Sequence, residues 1–283
     1  MNVVWTQGAQ LLAAEAAEEP SPFLVLLEHL NPHHYSWAPT WMLGPIDLSF
    51  TNAVLNIWIA AFLTVGVFWV AASKRSIVPK GIHNFVEVSM NWVKDNMVYS
   101  VMKPADGRVW FPYIATIFFF IFFLNLVGLV PWIGFTPTSN IWVTLAFAFG
   151  VYGLAVAIGI SRHGFFTFWK KTLIPEGLPG KSAVTKALVT VFFFFLEIIS
   201  QLARPVSLAV RLFANMVADH VILLVFVGFI FLVSGIFLVI MVPVAMTLEI
   251  VFTAFALFVA FIQAVIFAFL STLYINDALH PGH

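Results

Sequence analysis

LEIISQLARPVSLAVRLFANMVADH, running from Leu196 to His220, sits inside a nearly unbroken apolar run that extends from about Ala187 to Tyr274. Within that run the formally charged residues are Glu197, Arg204, Arg211, Asp219 and Glu249, and His220 and Gln263 add further polar groups. The run holds two helices of roughly 40 residues each, at 1.5 Å per residue about 60 Å long, broken near Ser234-Gly235 or near Pro243. That length is about twice the ~30 Å hydrocarbon thickness of a bilayer. Spanning helices tilt by only about 20° on average, so helices this long must lie strongly tilted or break.

The rest of the chain agrees with lipid as the solvent. Of its 283 residues 61% are hydrophobic and 9% charged, whereas a soluble domain carries about 25% charged residues. In hydrocarbon every backbone polar group must be satisfied internally, which leaves helices or a closed barrel. The apolar runs do not alternate as barrel strands do. The expectation is therefore an all-α integral membrane protein with about five membrane-embedded helices and one interfacial amphipathic helix. A formal net charge of zero argues against a nucleic-acid partner. The absence of cysteine removes thiolate metal sites and cysteine nucleophiles. Met1 to Glu19 has no basic region followed by an apolar core and ends in Glu15, Glu18 and Glu19, so it does not read as a signal peptide.

Residues 1–50 form an N-terminal segment punctuated by Pro20, Pro22, Pro32, Pro39 and Pro45, with a short helix expected around Pro22 to Leu30. A first transmembrane helix occupies 51–78, reading from Thr51 to Ala72. Residues 79–109 hold an amphipathic helix and loop. There Ile82, Phe85, Val86, Met90, Val93, Met97 and Val101 recur at helical spacing opposite His83, Glu87, Asn91, Lys94 and Asp95, a pattern that lies on an interface. A transmembrane hairpin follows in 110–160, with Trp110, Trp132 and Trp142 at the ends of its runs as in an aromatic belt. Residues 161–186 carry Arg162, Lys170, Lys171, Lys181 and Lys186, and with Pro175, Gly177, Pro179 and Gly180 they read as a basic loop. Residues 187–283 are the long pair. The basic loops are cytoplasmic by the positive-inside rule, which puts the N-terminus outside and the C-terminus in the cytoplasm.

The intramembrane charges share a face. Glu197, Arg204 and Arg211 are seven apart, nearly two helical turns, so they drift by only about 20° per step. Asn215 and Asp219 continue the line from Arg211 at i+4 and i+8. On the following helix Glu249 and Gln263 are fourteen apart with Ala256 midway. A charge at the bilayer centre costs roughly 2.5–3.5 kcal/mol. Arg204, beside Pro205, reads as a structural cation that pairs within the chain to hold two helices together, placed to snorkel towards the cytoplasmic end. Glu197 fits equally a structural partner or a ligand of a water pathway. Arg211 has no acid at i±3 or i±4, so its counter-charge must come from elsewhere, including another chain. Asn125 reads as an interhelical hydrogen-bonding group. His29, His33 and His34 lie among prolines and do not read as a metal site, and no cofactor is expected.

Leu196 to Met216 resembles the signature helix of subunit a of F-type ATP synthases. Phe261-Ile-Gln-Ala-Val-Ile-Phe267, Trp110-Phe-Pro-Tyr113 and Leu124-Asn-Leu-Val-Gly-Leu-Val-Pro131 are similar to further segments of that family. The ending Asp277 to His283 resembles its alphaproteobacterial branch. The resemblance implies a five-spanning stator of the bacterial inner membrane, with two tilted helices against a ring of c subunits and with peripheral-stalk b subunits as further partners. It makes Arg211 the stator arginine, whose partner is a c-subunit carboxylate. It places Asn215, Asp219, His220, Glu249 and Gln263 along an outer half-channel for protons and Glu197 along the exit. Two positions depart from the family pattern: Asp219 stands where relatives have Gly, and Ala256 where they have Glu or His. Asp219 is then a candidate for the displaced channel acid, with Glu249 as its competitor and local pairing of Asp219 with His220 as the structural alternative. No G-x-x-x-x-G-K-[ST] loop occurs, so no nucleotide site is expected. A secondary transporter would show inverted repeats and paired broken helices, and an intramembrane enzyme a nucleophile–base pair or metal triad. Neither set is present.

Overall fold

The computed structural model describes residues 42–43, 46–47, 51–73, 81–130, 137–173, 183–232 and 237–281. The protein is all-α, with seven α-helices among the described residues. Ahead of them lies one two-residue antiparallel pair, β1 (Met42–Leu43) and β2 (Ile46–Asp47). The helix expected around Pro22 to Leu30 and the histidines His29, His33 and His34 lie outside the described residues.

Helix α1 (Asn52–Ser73) is the first spanning helix, within one residue of its expected ends. Helix α2 (Ile82–Val93) runs into a π-helical turn, Lys94–Val98. The amphipathic pattern of 79–109 is thus divided. Val86, Val93 and Met97 are buried, while Ile82 and Phe85 on the expected apolar face are left uncovered by the chain. Helices α3 (Pro104–Gly128) and α4 (Ile141–His163) form the hairpin. Pro112 lies inside α3, where Thr116 Oγ1 donates to its carbonyl at 2.7 Å.

Residues 161–186 are not simply a loop. Gly164, at φ 79°, caps α4, and α5 (Phe165–Leu173) begins at once. The reason is tertiary packing. Phe168 lies on α4 where Gly159 has no side chain, and a Cβ there would stand 2.2 Å from the Phe168 ring. Lysines, Gly and Pro nearby hid this nine-residue helix from a reading of composition.

The long pair is unbroken. Helix α6 (Ala183–Leu232) has 50 residues and α7 (Phe237–Leu279) has 43. Of the two expected break points, Pro243 lies inside α7, and Thr247 Oγ1 donates to its carbonyl. Ser234-Gly235 falls between the two helices, among residues outside the described set. At 1.5 Å per residue α6 is about 75 Å long, so it must tilt strongly or extend beyond a ~30 Å hydrocarbon layer. Among the described residues five helices are long and apolar enough to cross a membrane: α1, α3, α4, α6 and α7.

The core lies where α7 passes α3, α4 and α6. Ala256, Ala260, Ala264, Ala268 and Thr272 follow one another at every fourth position of α7, all buried. Small residues at this spacing let neighbouring backbones approach closely. Phe118, Phe119, Ile114 and Ile121 of α3 and Leu208, Ala209 and Leu212 of α6 complete the same cluster. At one end of the bundle His280, just past α7, meets Asp106 of α3 at 3.2 Å, and His163 of α4 donates to the Leu279 carbonyl at 3.1 Å. Arg162 approaches Asp106 at 3.7 Å. The starts of α3 and the ends of α4 and α7 are thereby tied together.

Candidate functional site: the polar seam of α6 and α7

Along α6 the polar residues occupy one arc, as their spacing implied, and they fall into two groups. The first surrounds Arg204. Its Nη1 donates to Asp277 Oδ2 at 3.2 Å, and its Nη2 lies 4.0 Å from Glu197 Oε1. Gln201 Nε2 donates to the same Glu197 oxygen at 2.8 Å, and Tyr152 of α4 donates its hydroxyl to Gln201 Oε1 at 2.9 Å. Tyr274 packs edge-on against Tyr152. A cavity of about 30 Å³ opens between Tyr152, Gln201, Arg204, Tyr274 and Asp277, which is room for about one water. This geometry fits the reading of Arg204 as a structural cation: its partly exposed guanidinium ties α6 to the end of α7 through Asp277 and lies near Glu197. Asp277 lies 73 residues away, and no local rule finds it.

The second group lies towards the other end. Asn215 Nδ2 donates to Gln263 Oε1 at 3.0 Å. Gln263 is almost wholly buried, and its Nε2 has no partner among the described residues. Four residues further along α6 is Asp219, and the matching step back along antiparallel α7 ends at Val259, one turn from Ala256. Asp219 Oδ2 is buried without a hydrogen-bond partner among the described residues. Ala256 is buried. His220 follows Asp219 in the helix, and its side chain lies outside the described residues. Asn125 of α3 is buried with both side-chain polar atoms unpartnered among the described residues, as is the Thr138 hydroxyl. No interhelical hydrogen bond reaches Asn125 among the described residues. Buried polar atoms of this kind are satisfied by water in most proteins. Glu249 does not join Asn215 and Gln263. It edges an open cleft of about 580 Å³ between Leu126 of α3, with Leu129 and Val130 just past its end, and Ile250, Thr253 and Leu257 of α7.

Arg211 stands between the two groups and belongs to neither. It is exposed, and no hydrogen bond or ion pair reaches it among the described residues. Beside it runs a row of exposed small residues, Ala203, Ser207, Ala214 and Ala218, spaced four, seven and four apart so that they share one edge of the helix. The buried arc of α6, made by Pro205, Leu208, Ala209, Leu212 and Met216, lies on the other side of Arg211.

The sequence reading missed Tyr152, Gln201 and Asp277. Gln201 is four residues from Glu197 on the same stripe. Asp277 repeats the fourteen-residue step that joins Glu249 to Gln263. Both signals were present.

The fold and seam define a polytopic helical membrane protein with a line of polar and ionised groups carried through its span. A family model described as ATP synthase A chain matches residues 54–276. ATP synthase subunit a of Chelativorans sp. (strain BNC1) is 39% identical over 247 residues, covering 85% of this chain and 93% of the relative. The subunits a of Hyphomonas neptunium and Brucella ovis are 36% and 35% identical, each over 89% of this chain and 96% and 99% of the relatives. The chain belongs to the ATP synthase subunit a family.

The Asn215–Gln263 pair gives a direct energetic expectation. Gln263→Leu leaves the Asn215 amide unpaired next to the core and lowers stability by about 1–3 kcal/mol. Asn215→Leu combined with Gln263→Leu recovers much of that loss, because both polar partners are then removed together. Thermal unfolding of the detergent-solubilised complex across this double-mutant cycle checks both values.

Proposed function

We propose that this chain is the stator proton-channel subunit of a rotary F-type ATP synthase, passing protons through two offset half-channels to and from the carboxylates of a c-subunit ring. The observation that carries the reading is the contrast between two arginines on one helix. Arg204 has two carboxylates within reach, whereas Arg211 has none and faces outward beside a row of small residues. An exposed guanidinium in the membrane requires a counter-charge. A second helix bearing a carboxylate can come close only along an edge free of bulky side chains.

In this reading a proton enters from the outer side by way of the Asn215–Gln263 pair, Asp219, His220 and Glu249, where the unpartnered oxygens and amides hold water. It neutralises a ring carboxylate, which then rotates into lipid. The carboxylate returns on the other side of Arg211 and gives up its proton by way of Glu197 and the water-sized cavity that Gln201, Arg204 and Asp277 line beside it. Arg211 favours the ionised carboxylate through opposite charge, and it stays protonated in any realistic environment, so it bars direct passage between the half-channels. A membrane potential supplies about 2.3 kcal/mol per charge per 100 mV, so several protons must be summed per ATP, as a rotating ring does. The chain itself needs no nucleotide or cofactor and is not the catalytic subunit. Peripheral-stalk b subunits complete the stator. The bundle end that gathers Asp106, Arg162, His163 and His280 faces the cytoplasm of a bacterial inner membrane, and the N-terminus lies outside.

Asp219 takes the place of the acid missing at Ala256. The support is the register set by Asn215–Gln263, which brings the two positions within about a turn of each other.

Arg211→Ala in membrane vesicles is expected to abolish ATP synthesis driven by an imposed proton gradient while the assembled membrane sector still leaks protons. Synthesis near the wild-type rate would sink the reading. Asp219→Gly is expected to lower proton flux at least tenfold, and adding Ala256→Glu to restore much of it. A double variant that assembles normally and stays inactive would count against the swap.

A further inference from the structure

The helix that the sequence reading did not anticipate has two faces with different tasks. Its inner face is fixed. Gly164 turns the chain sharply at the end of α4, and the Phe168 backbone N–H returns to the Gly164 carbonyl at 3.0 Å. The Phe168 ring lies against Gly159. Phe168, Trp169 and Thr172 then wall the cavity that contains Arg204 and Asp277. Helix α5 therefore lies folded beside the last turns of a spanning helix rather than projecting away from it.

Its outer face is uncovered and chemically mixed. Phe166 is 87% exposed and Phe165 56%, and Thr167, Lys170 and Lys171 are exposed as well. Phe166 with Lys170, and Thr167 with Lys171, are four apart and so adjacent on the helix surface. Residues 161–173 contain Arg162, Lys170 and Lys171 and no acid. Among the described residues, of these cations only Arg162 has a carboxylate near it, Asp106 at 3.7 Å.

We propose that α5 is an interfacial anchor whose outer face binds anionic phospholipid, with Phe165 and Phe166 among the acyl chains and Lys170 and Lys171 on the phosphates. Three observations select lipid over a protein partner. The helix starts one residue after a membrane-spanning segment ends, which is the depth at which amphipathic helices settle. Bare aromatic rings stand directly beside lysines, whereas the buried centres of protein interfaces are depleted of lysine. The charge is of one sign and complements an anionic leaflet. Lipid held there keeps Phe168, Trp169 and Thr172 seated over the Arg204–Asp277 cavity.

The chain has no cysteine, so Thr167→Cys offers a unique labelling position within it. The assembled complex, with its other reactive cysteines replaced, is labelled there with a fluorophore and placed in phosphatidylcholine vesicles. These carry a small fraction of headgroup-labelled acceptor lipid, either phosphatidylglycerol or phosphatidylcholine. Energy transfer is expected to show the anionic acceptor enriched several-fold over the neutral one. A surface lysine is worth about fivefold in binding to anionic lipid, so K170Q/K171Q is expected to bring the ratio close to one. Equal transfer to both acceptors in the parent complex would overturn the proposal. So would a ratio unchanged by K170Q/K171Q, or a label shielded from both acceptors, which would mean that another protein covers α5.

Discussion

A guanidinium held in hydrocarbon has to be answered by an opposite charge, and the contrast between one that this chain answers and one that it leaves open organises everything else. Arg204 and Arg211 are seven residues apart on α6, about 10 Å along the helix. Arg204 is closed off by Glu197 and Asp277 and by the hydrogen-bond line from Tyr152 through Gln201. Arg211 is left open. To carry both, α6 must be buried on one arc and bare on another, and it must be long. It is both: Leu208, Leu212 and Met216 are buried, while Leu202, Val206 and Val210 are exposed.

The scaffold that permits this is largely α7. Its four alanines at every fourth position give a smooth face on which α3, α4 and α6 all rest. Because the backbones can approach there, Asn215 reaches Gln263 across the α6–α7 crossing and Arg204 reaches Asp277 nearer the end. Prolines inside α3 and α7 do not end either helix. Near each a threonine hydroxyl, four residues on, donates to the proline carbonyl. The ties of His280 and Arg162 to Asp106 and of His163 to the Leu279 carbonyl hold the end of α7 in register, and Asp277 depends on that placement.

The architecture was legible because charges are so rare in this composition that each one marks a face. The count of spanning helices, the two long ones and the stripe through Glu197, Arg204 and Arg211 all follow from spacing. What was not legible depended on distant packing. Arg204 was read from its neighbours in sequence, yet its second partner comes from the far end of α7. Helix α5 exists because Phe168 finds the bare Gly159 backbone, a meeting that periodicity cannot report. Asn125 was assigned a partner on general grounds, and the packing around it supplies none among the described residues. Tyr152 and Gln201 carry no charge and so did not stand out, although Gln201 lies on the same stripe. The fourteen-residue spacing groups Glu249 with Gln263, and the cleft that Glu249 edges is shaped by the end of α3, which that spacing does not report.

The most direct measurement of whether a neighbouring helix supplies Arg211's counter-charge is disulfide cross-linking in the assembled complex. Single cysteines at Ser207 and Ala214, on the bare row beside Arg211, would be tested against a cysteine one turn from the c-subunit carboxylate. Leu202→Cys, on the opposite arc of α6, serves as the comparison. Rapid cross-linking from Ser207→Cys and Ala214→Cys, with little from Leu202→Cys, is the expected result. Cross-linking from Leu202→Cys alone, or from none of the three in a complex that assembles, would contradict the proposed placement of Arg211 against a c-subunit ring.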